Sequence, residues 1–179
     1  LAAAGIDFEV GPAPDVDERV PDGASPAEAV EALARRKAEA VRDAAVDRIV
    51  LTADTLVFLE GRPLGKPADS ADARRMLVAL SGRTHEVLTG IALVGPDEIR
   101  TAHARTGVRF RALDAREVDA YVATGEPLDK AGAYAIQGGA GAFVAELDGP
   151  EDNVIGLPVA LVRQLMGEFG LRGDGVGGR

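Results

Sequence analysis

Cysteine is absent from the 179-residue sequence, and with it go disulfides, thiolate metal sites and cysteine nucleophiles. Tryptophan is absent too, and aromatic residues make up only 4%, so a core must be assembled from Ala, Val, Leu and Ile. No apolar run approaches the roughly 20 residues that cross a bilayer, and no basic-then-apolar leader opens the chain. No membrane partner is expected, and the cytoplasm is the expected location. Positive charge is also in deficit. A net charge of −9 argues against a nucleic-acid partner, which would be drawn to a basic face. The two histidines, His85 and His103, are too few and too isolated for zinc, and no convincing Ser-His-Asp set exists.

What is present has the balance of an ordinary globular protein, with 46% hydrophobic and 27% charged residues. The length suits one domain over residues 1–170, large enough to bury a real core. A Gly-rich tail, 171–179, is expected to be flexible. Ile6, Phe8 and Val10 alternate as a strand should. Ser25, Pro26 and Glu28 form a capping-box signal for a helix running to about Val46. A buried strand is expected over 49–59, ending at a Glu60-Gly61 turn, followed by a helix over 70–80. Paired strands over 87–94 and 99–110 flank Gly95-Pro96-Asp97, and Asp114 caps a helix through Ala123. Residues 125–141 read as a loop with short extended pieces, 142–147 as a strand and 157–169 as a last helix. Helices alternating with strands around a central hairpin indicate an α/β fold with a mixed sheet.

The cations are distributed unevenly. Lys and Arg together number 20, yet only Lys37, Lys66 and Lys130 are lysines. A chain that uses Arg for solubility keeps Lys where a compact ammonium is needed, although three scattered surface lysines would give the same count. Asp54, in Thr-Ala-Asp-Thr on the 49–59 strand, is placed to bind a metal or activate water, or else to cap a turn. Glu18, with Asp15 and Asp17, forms an acidic loop that is either solvated or functional. Gly61 to Lys66 is not a phosphate-binding P-loop: its glycines are too close, and Pro67 stands where Ser or Thr should be.

Taken together, seven segments resemble one family. They are Pro14-Asp15-Val16-Asp17-Glu18, Leu33-Ala34 with Lys37-Ala38, Ala53-Asp54-Thr55, Leu64-Gly65-Lys66-Pro67, the stretch from Leu80 to Val87, the stretch from Gly125 to Gly138, and Asn153 to Pro158. In this order and spacing they resemble the Maf nucleotide pyrophosphatases, over nearly the whole chain. The resemblance implies an elongated α/β fold with flanking helices and a cleft between two lobes, similar to inosine triphosphate pyrophosphatases. It implies hydrolysis of a nucleoside triphosphate to the monophosphate and pyrophosphate, with Asp54 as general base. Glu18 is implied to be needed for activity and, with Asp54, to hold a divalent cation, Mg²⁺ or Mn²⁺. Lys37 and Lys66 are implied to line the phosphate site and Lys130 to stand near the triphosphate. Arg83 is a further substrate-binding candidate, or equally a surface residue of the Ser81-Gly82 turn. Thr55 and Gln137 match positions tied to substrate choice, and the pair resembles the branch acting on dTTP and UTP. A homodimer is implied as well.

The family normally opens with a strand and a Ser-x-x-Arg-Arg segment that forms an anion site at a helix start. This sequence begins after it: the favoured expectation is that it is a piece of a longer chain, the alternative that the protein lacks that phosphate clamp and a sheet strand. Two other readings stand beside the enzyme. One is a non-catalytic nucleotide-binding regulator of cell division and septum formation, the other a purine triphosphate house-cleaning enzyme.

Overall fold

The computed structural model describes residues 1–45, 48–95 and 98–169. Its centre is a five-stranded sheet in the order β2–β1–β3–β4–β5. The strands are β1 (Val50–Leu59), β2 (Arg62–Leu64), β3 (Thr84–Val94), β4 (Ile99–Phe110) and β5 (Val144–Asp148). Around it lie α1 (Pro26–Ala40), α2 (Ser70–Leu80), α3 (Ala115–Ala123), α4 (Glu151–Ile155) and α5 (Val159–Glu168). This is the expected α/β arrangement of a central sheet flanked by helices. Every pairing among the described strands is antiparallel, so the parallel component of a mixed sheet is not found among them. The connections explain this. β1 turns directly into β2, and α2 then returns the chain so that β3 runs against β1; a parallel neighbour would need a crossover in the same sense.

The two faces of β3 sort the layers. Leu88, Gly90, Ala92 and Val94 face α1, while Val87, Ile91 and Leu93 face the helices of the other side. With both faces covered, β3 is buried over nearly its whole length. α1 presents Ala29, Val30, Leu33, Ala34 and Ala38 to the sheet, a helical stripe dominated by small residues. The capping box at its start is present, with Ser25 and Glu28 each accepting the other's backbone N–H. α1 stops earlier than its pattern suggested. It ends at Ala40, and Arg42–Ala45 tighten into a 3₁₀ turn; Val46 lies outside the described residues.

Other boundaries also shift. Ile6, Phe8 and Val10 do not form a strand: Phe8 is 50% and Val10 87% exposed, and no ladder reaches them. Alternation specifies a face, but a strand also needs an edge to pair with. The β1–β2 hairpin closes through Glu60 (φ 51) and Gly61 (φ 75), a two-residue turn with both centres left-handed, and β2 itself was not foreseen. β3 and β4 pair up to Val94 and Ile99, while Pro96 and Asp97 of their turn lie outside the described residues, as does the tail beyond Phe169. Among the described residues no helix is long and apolar enough to cross a membrane.

His85 is 1% exposed, with Nε2 hydrogen-bonded to the Tyr134 hydroxyl at 2.8 Å and its ring edge-on to Phe110. Burial pushes its pKa down to about 4 from an ordinary 6.5. The fold therefore favours neutral His85: its contribution is complete above pH 6.5 and is lost as pH falls from there through 4. The loss should reach about 3 kcal/mol. Urea unfolding of the protein and of His85→Gln across this range checks it. The parent should lose stability more steeply, and parallel curves would refute the assignment.

Candidate active site

Asp54 sits on β1 directly opposite Gly90 of β3, on the face covered by α1. β2 pairs only with Val57–Leu59, so the stretch of β1 that carries Asp54 has no second described neighbour on that side. α1 is fixed on this part of the sheet by its backbone. The Thr52 hydroxyl donates to the Ala34 carbonyl at 2.8 Å, and a Cβ on Gly90 would overlap the Val30 carbonyl. A lone glycine in a strand marks such a close backbone approach. Helical side chains lean toward the helix N-terminus, and Lys37, one turn beyond Leu33, reaches back over the sheet to Asp54.

The Lys37 ammonium bridges two carboxylates, with Nζ 2.5 Å from Asp54 Oδ1 and 3.0 Å from Glu18 Oε1. Asp54 is 10% exposed and Glu18 59%, so the acids differ in environment although they share a cation. Burial raises the Asp54 pKa above the ordinary carboxylate value, against the opposing pull of the Lys37 hydrogen bond and charge. The hydrogen bond and charge of Lys37 hold Glu18 below its ordinary value. Burial works against the charge on Lys37, but its bonds to Asp54 and Glu18 outweigh burial and keep the ammonium protonated. The result is a carboxylate biased toward taking a proton, beside one that stays ionised.

Lys66 lies in the exposed segment after β2, and its charge acts on Glu18, Asp54 and Asp129. Lys130 pairs with Asp129 at 2.6 Å. The two lysine segments are tied together where the Gly132 N–H donates to the Gly65 carbonyl at 3.0 Å. Lys37 and Lys66 thus both act on Asp54 and Glu18, while Lys130 pairs with Asp129, an acid that also feels the Lys66 charge. Gln137 is exposed on the turn that follows.

Thr55 and Arg83 are not brought into this group. Thr55 occupies the opposite face of β1, 2.8 Å from the Thr89 hydroxyl. Thr89 donates to the Asn153 carbonyl, so Thr55 must supply the proton of the Thr–Thr bond. Arg83 pairs with Glu60 at the hairpin turn. That turn is six residues along β1 from Asp54, roughly 20 Å.

A divalent cation was expected at Glu18 and Asp54. The two carboxylates fit that role in one respect: they already converge on a single positive charge. Among the described residues no third Asp, Glu or His joins them in a ligand group. A hard cation held by two carboxylates and completed by substrate phosphate oxygens and water matches this donor set.

The family described as Maf-like protein matches residues 1–169. The chain belongs to the Maf family. Among Maf relatives, a dTTP/UTP pyrophosphatase of Symbiobacterium thermophilum is 52% identical over 170 residues, covering 95% of this chain and 87% of that protein. A dTTP/UTP pyrophosphatase of Moorella thermoacetica is 51% identical over 175 residues, covering 96% and 89%. A third so named, from Pelotomaculum thermopropionicum, is 48% identical over 172 residues, covering 95% and 90%. The Maf match spans every site residue above, from Glu18 to Gln137.

Two parts of the site escaped the sequence reading. One is Gly90, whose only signal was its place inside a strand. The other is the bracing of the Gln137 turn by Tyr121 and Glu126: Glu126 stood in a family-like stretch, but nothing in the sequence paired it with Tyr121.

Proposed function

We propose that this chain is a nucleoside triphosphate pyrophosphatase acting on dTTP and UTP, releasing the monophosphate and pyrophosphate. The observation that carries the reading is the Lys37 bridge between Asp54 and Glu18, in a chain about half identical to relatives named for that activity.

Cleavage between the α and β phosphorus atoms needs an activated water and relief of the charge that builds on the departing pyrophosphate. Asp54, buried and raised in pKa, takes the proton of the attacking water. Lys37 and Lys66, with Lys130 beside them, bind phosphate oxygens as compact cations. In the free protein Lys37 is engaged with the acids, and an incoming triphosphate offers it oxygens of higher charge. Glu18 and Asp54 would hold Mg²⁺ or Mn²⁺, which supplies further neutralisation of phosphate charge when bound. Gln137 offers one donor and one acceptor face, suited to the polar edge of a pyrimidine. Thr55 enters this reading only indirectly, through Thr89 and α4. The chain is assigned to the cytoplasm and to a homodimer, which sedimentation at low concentration tests.

Pyrophosphate release from a panel of nucleoside triphosphates with Mg²⁺ tests the activity. Turnover of dTTP and UTP ahead of GTP and ATP is expected. Saturable nucleotide binding with no turnover would replace this reading with that of a nucleotide-binding regulator. Gln137→Glu removes the donor face and puts a charge where the base edge is read. Its UTP-over-GTP ratio of kcat/KM should fall by roughly tenfold or more, and an unchanged ranking would remove the base-reading role.

A further inference from the structure

The turn that carries Gln137 closes on the bond from the Gly138 N–H to the Ala135 carbonyl at 3.1 Å, and it is held at both ends by two side chains outside it. The Tyr121 hydroxyl, on the buried side of α3, accepts from the Ala135 N–H at 3.2 Å and donates to Glu126 Oε1 at 2.9 Å. The other oxygen of Glu126 accepts from the Gly139 N–H at 3.2 Å. Gln137 therefore lies between two backbone amides tied to one hydrogen-bonded pair. The closeness is built into the sequence at Gly138, where a Cβ would overlap the Glu126 carboxylate. Tyr121 is itself fixed, 5% exposed with its ring edge-on to Phe143.

Glu126 also reaches the other side of the site. Its own N–H donates to the Thr124 hydroxyl at 3.1 Å, and it opens the 3₁₀ turn Glu126–Asp129 that leads into Lys130. The segment bearing Lys130 and the segment bearing Gln137 thus meet at one carboxylate. Both of its oxygens are occupied by protein donors, so its chemistry is that of a strut.

We propose that Glu126, braced by Tyr121, is a positioning residue that sets where Gln137 stands and thereby which base the site accepts. This rests on the reading of Gln137 as the residue that meets the base. A carboxylate is suited to the task because it accepts from two donors at once on a planar frame. Discrimination by a hydrogen-bonding side chain depends on its placement, and a loosened turn weakens the preferred and the rejected base contacts unequally.

The test combines amide exchange with substrate choice in Glu126→Ala, Tyr121→Phe, Glu126→Gln and Gln137→Ala. Exchange at Gly139 in Glu126→Ala, and at Ala135 in Tyr121→Phe, should rise by about tenfold or more while the β3 amides keep their protection. The UTP-over-GTP ratio of kcat/KM should fall by about tenfold in Glu126→Ala, chiefly through the KM for UTP, and largely return in Glu126→Gln, whose amide oxygen can still accept from Gly139 while its NH2 donates to the Tyr121 oxygen, reversing that bond. Unchanged exchange at both amides overturns the strut. Loosened exchange with an intact ratio, where Gln137→Ala does lose selectivity, overturns the role in base choice. If Gln137→Ala keeps its selectivity, the reading of Gln137 fails and takes the base-choice role with it, while the exchange data still decide whether Glu126 holds the turn.

Discussion

Replacing Asp54 with Asn should lower kcat for UTP hydrolysis by roughly 10²- to 10⁴-fold, with a far smaller change in KM. Asn has nearly the volume of Asp and can still accept a hydrogen bond from Lys37, so the site keeps its shape. What it loses is the ability to take a proton from water. Lys37 keeps Glu18 at 3.0 Å as a charged partner, and α1 should stay docked through the bond between Thr52 and the Ala34 carbonyl. Thermal unfolding should therefore move little while turnover collapses. The pH dependence gives a second reading of the same residue. Burial raises the Asp54 pKa, and a base works only when deprotonated, so kcat/KM should fall with decreasing pH through a value above the ordinary 3.8. An Asp54→Asn protein retaining more than a tenth of the parent kcat would remove Asp54 from the base role.

Gly90→Ala should be the most damaging single-methyl change in the sheet. The added Cβ would overlap the Val30 carbonyl and stand 2.8 Å from the Glu31 nitrogen. These are helix backbone atoms, which no rotamer change can move aside. α1 must lift from the sheet or β3 must bend, at a cost of about 3 kcal/mol or more. For a chain of this length that lowers Tm by roughly 6–12 °C. Because α1 carries Lys37, the displacement should reduce activity below what the fraction folded accounts for. Gly107→Ala on β4 is the internal comparison. Its Cβ would meet Asp148 Cβ at an ordinary 3.4 Å, so it should cost far less. Calorimetry of the two variants and UTP turnover at a temperature where both are folded make the check. Equal melting points for Gly90→Ala and the parent would mean that α1 does not rest on β3 as described.

Much of this could be read from the chain before any coordinates. The helices over 70–80 and 115–123 and the pair of long strands were visible because each carries a strong periodic signal, with Asp114 as a cap for the second helix. Asp54, Glu18, Lys37, Lys66 and Lys130 came from an odd lysine census joined to a family resemblance; the structure joins Asp54, Glu18 and Lys37 directly, while Lys130 pairs with Asp129. Other features escaped for identifiable reasons. Ile6, Phe8 and Val10 alternate correctly, but alternation cannot supply a partner strand. β2 is only three residues long and α4 only five, shorter than the windows over which periodicity can be counted. Thr55 was singled out by the resemblance alone; adjacent strand residues point to opposite faces, so it does not share the face of Asp54. Arg83 was equally compatible with a surface turn, and its partner Glu60 could be recognised only once the hairpin had been built.

The alanine stripe of α1 limits how this protein can vary over time. Where two large side chains meet in a core, one can grow as the other shrinks, and drift proceeds by matched exchanges. Ala34 and Ala38 cluster with Ala92, and Gly90 lies against the Val30 carbonyl, so at these contacts there is little volume to give up on either side. A larger residue on one side finds no offsetting change on the other. Sequence divergence should therefore collect on the outer face of α1, while the stripe and the spacing from it to Lys37 pass together from one descendant to the next.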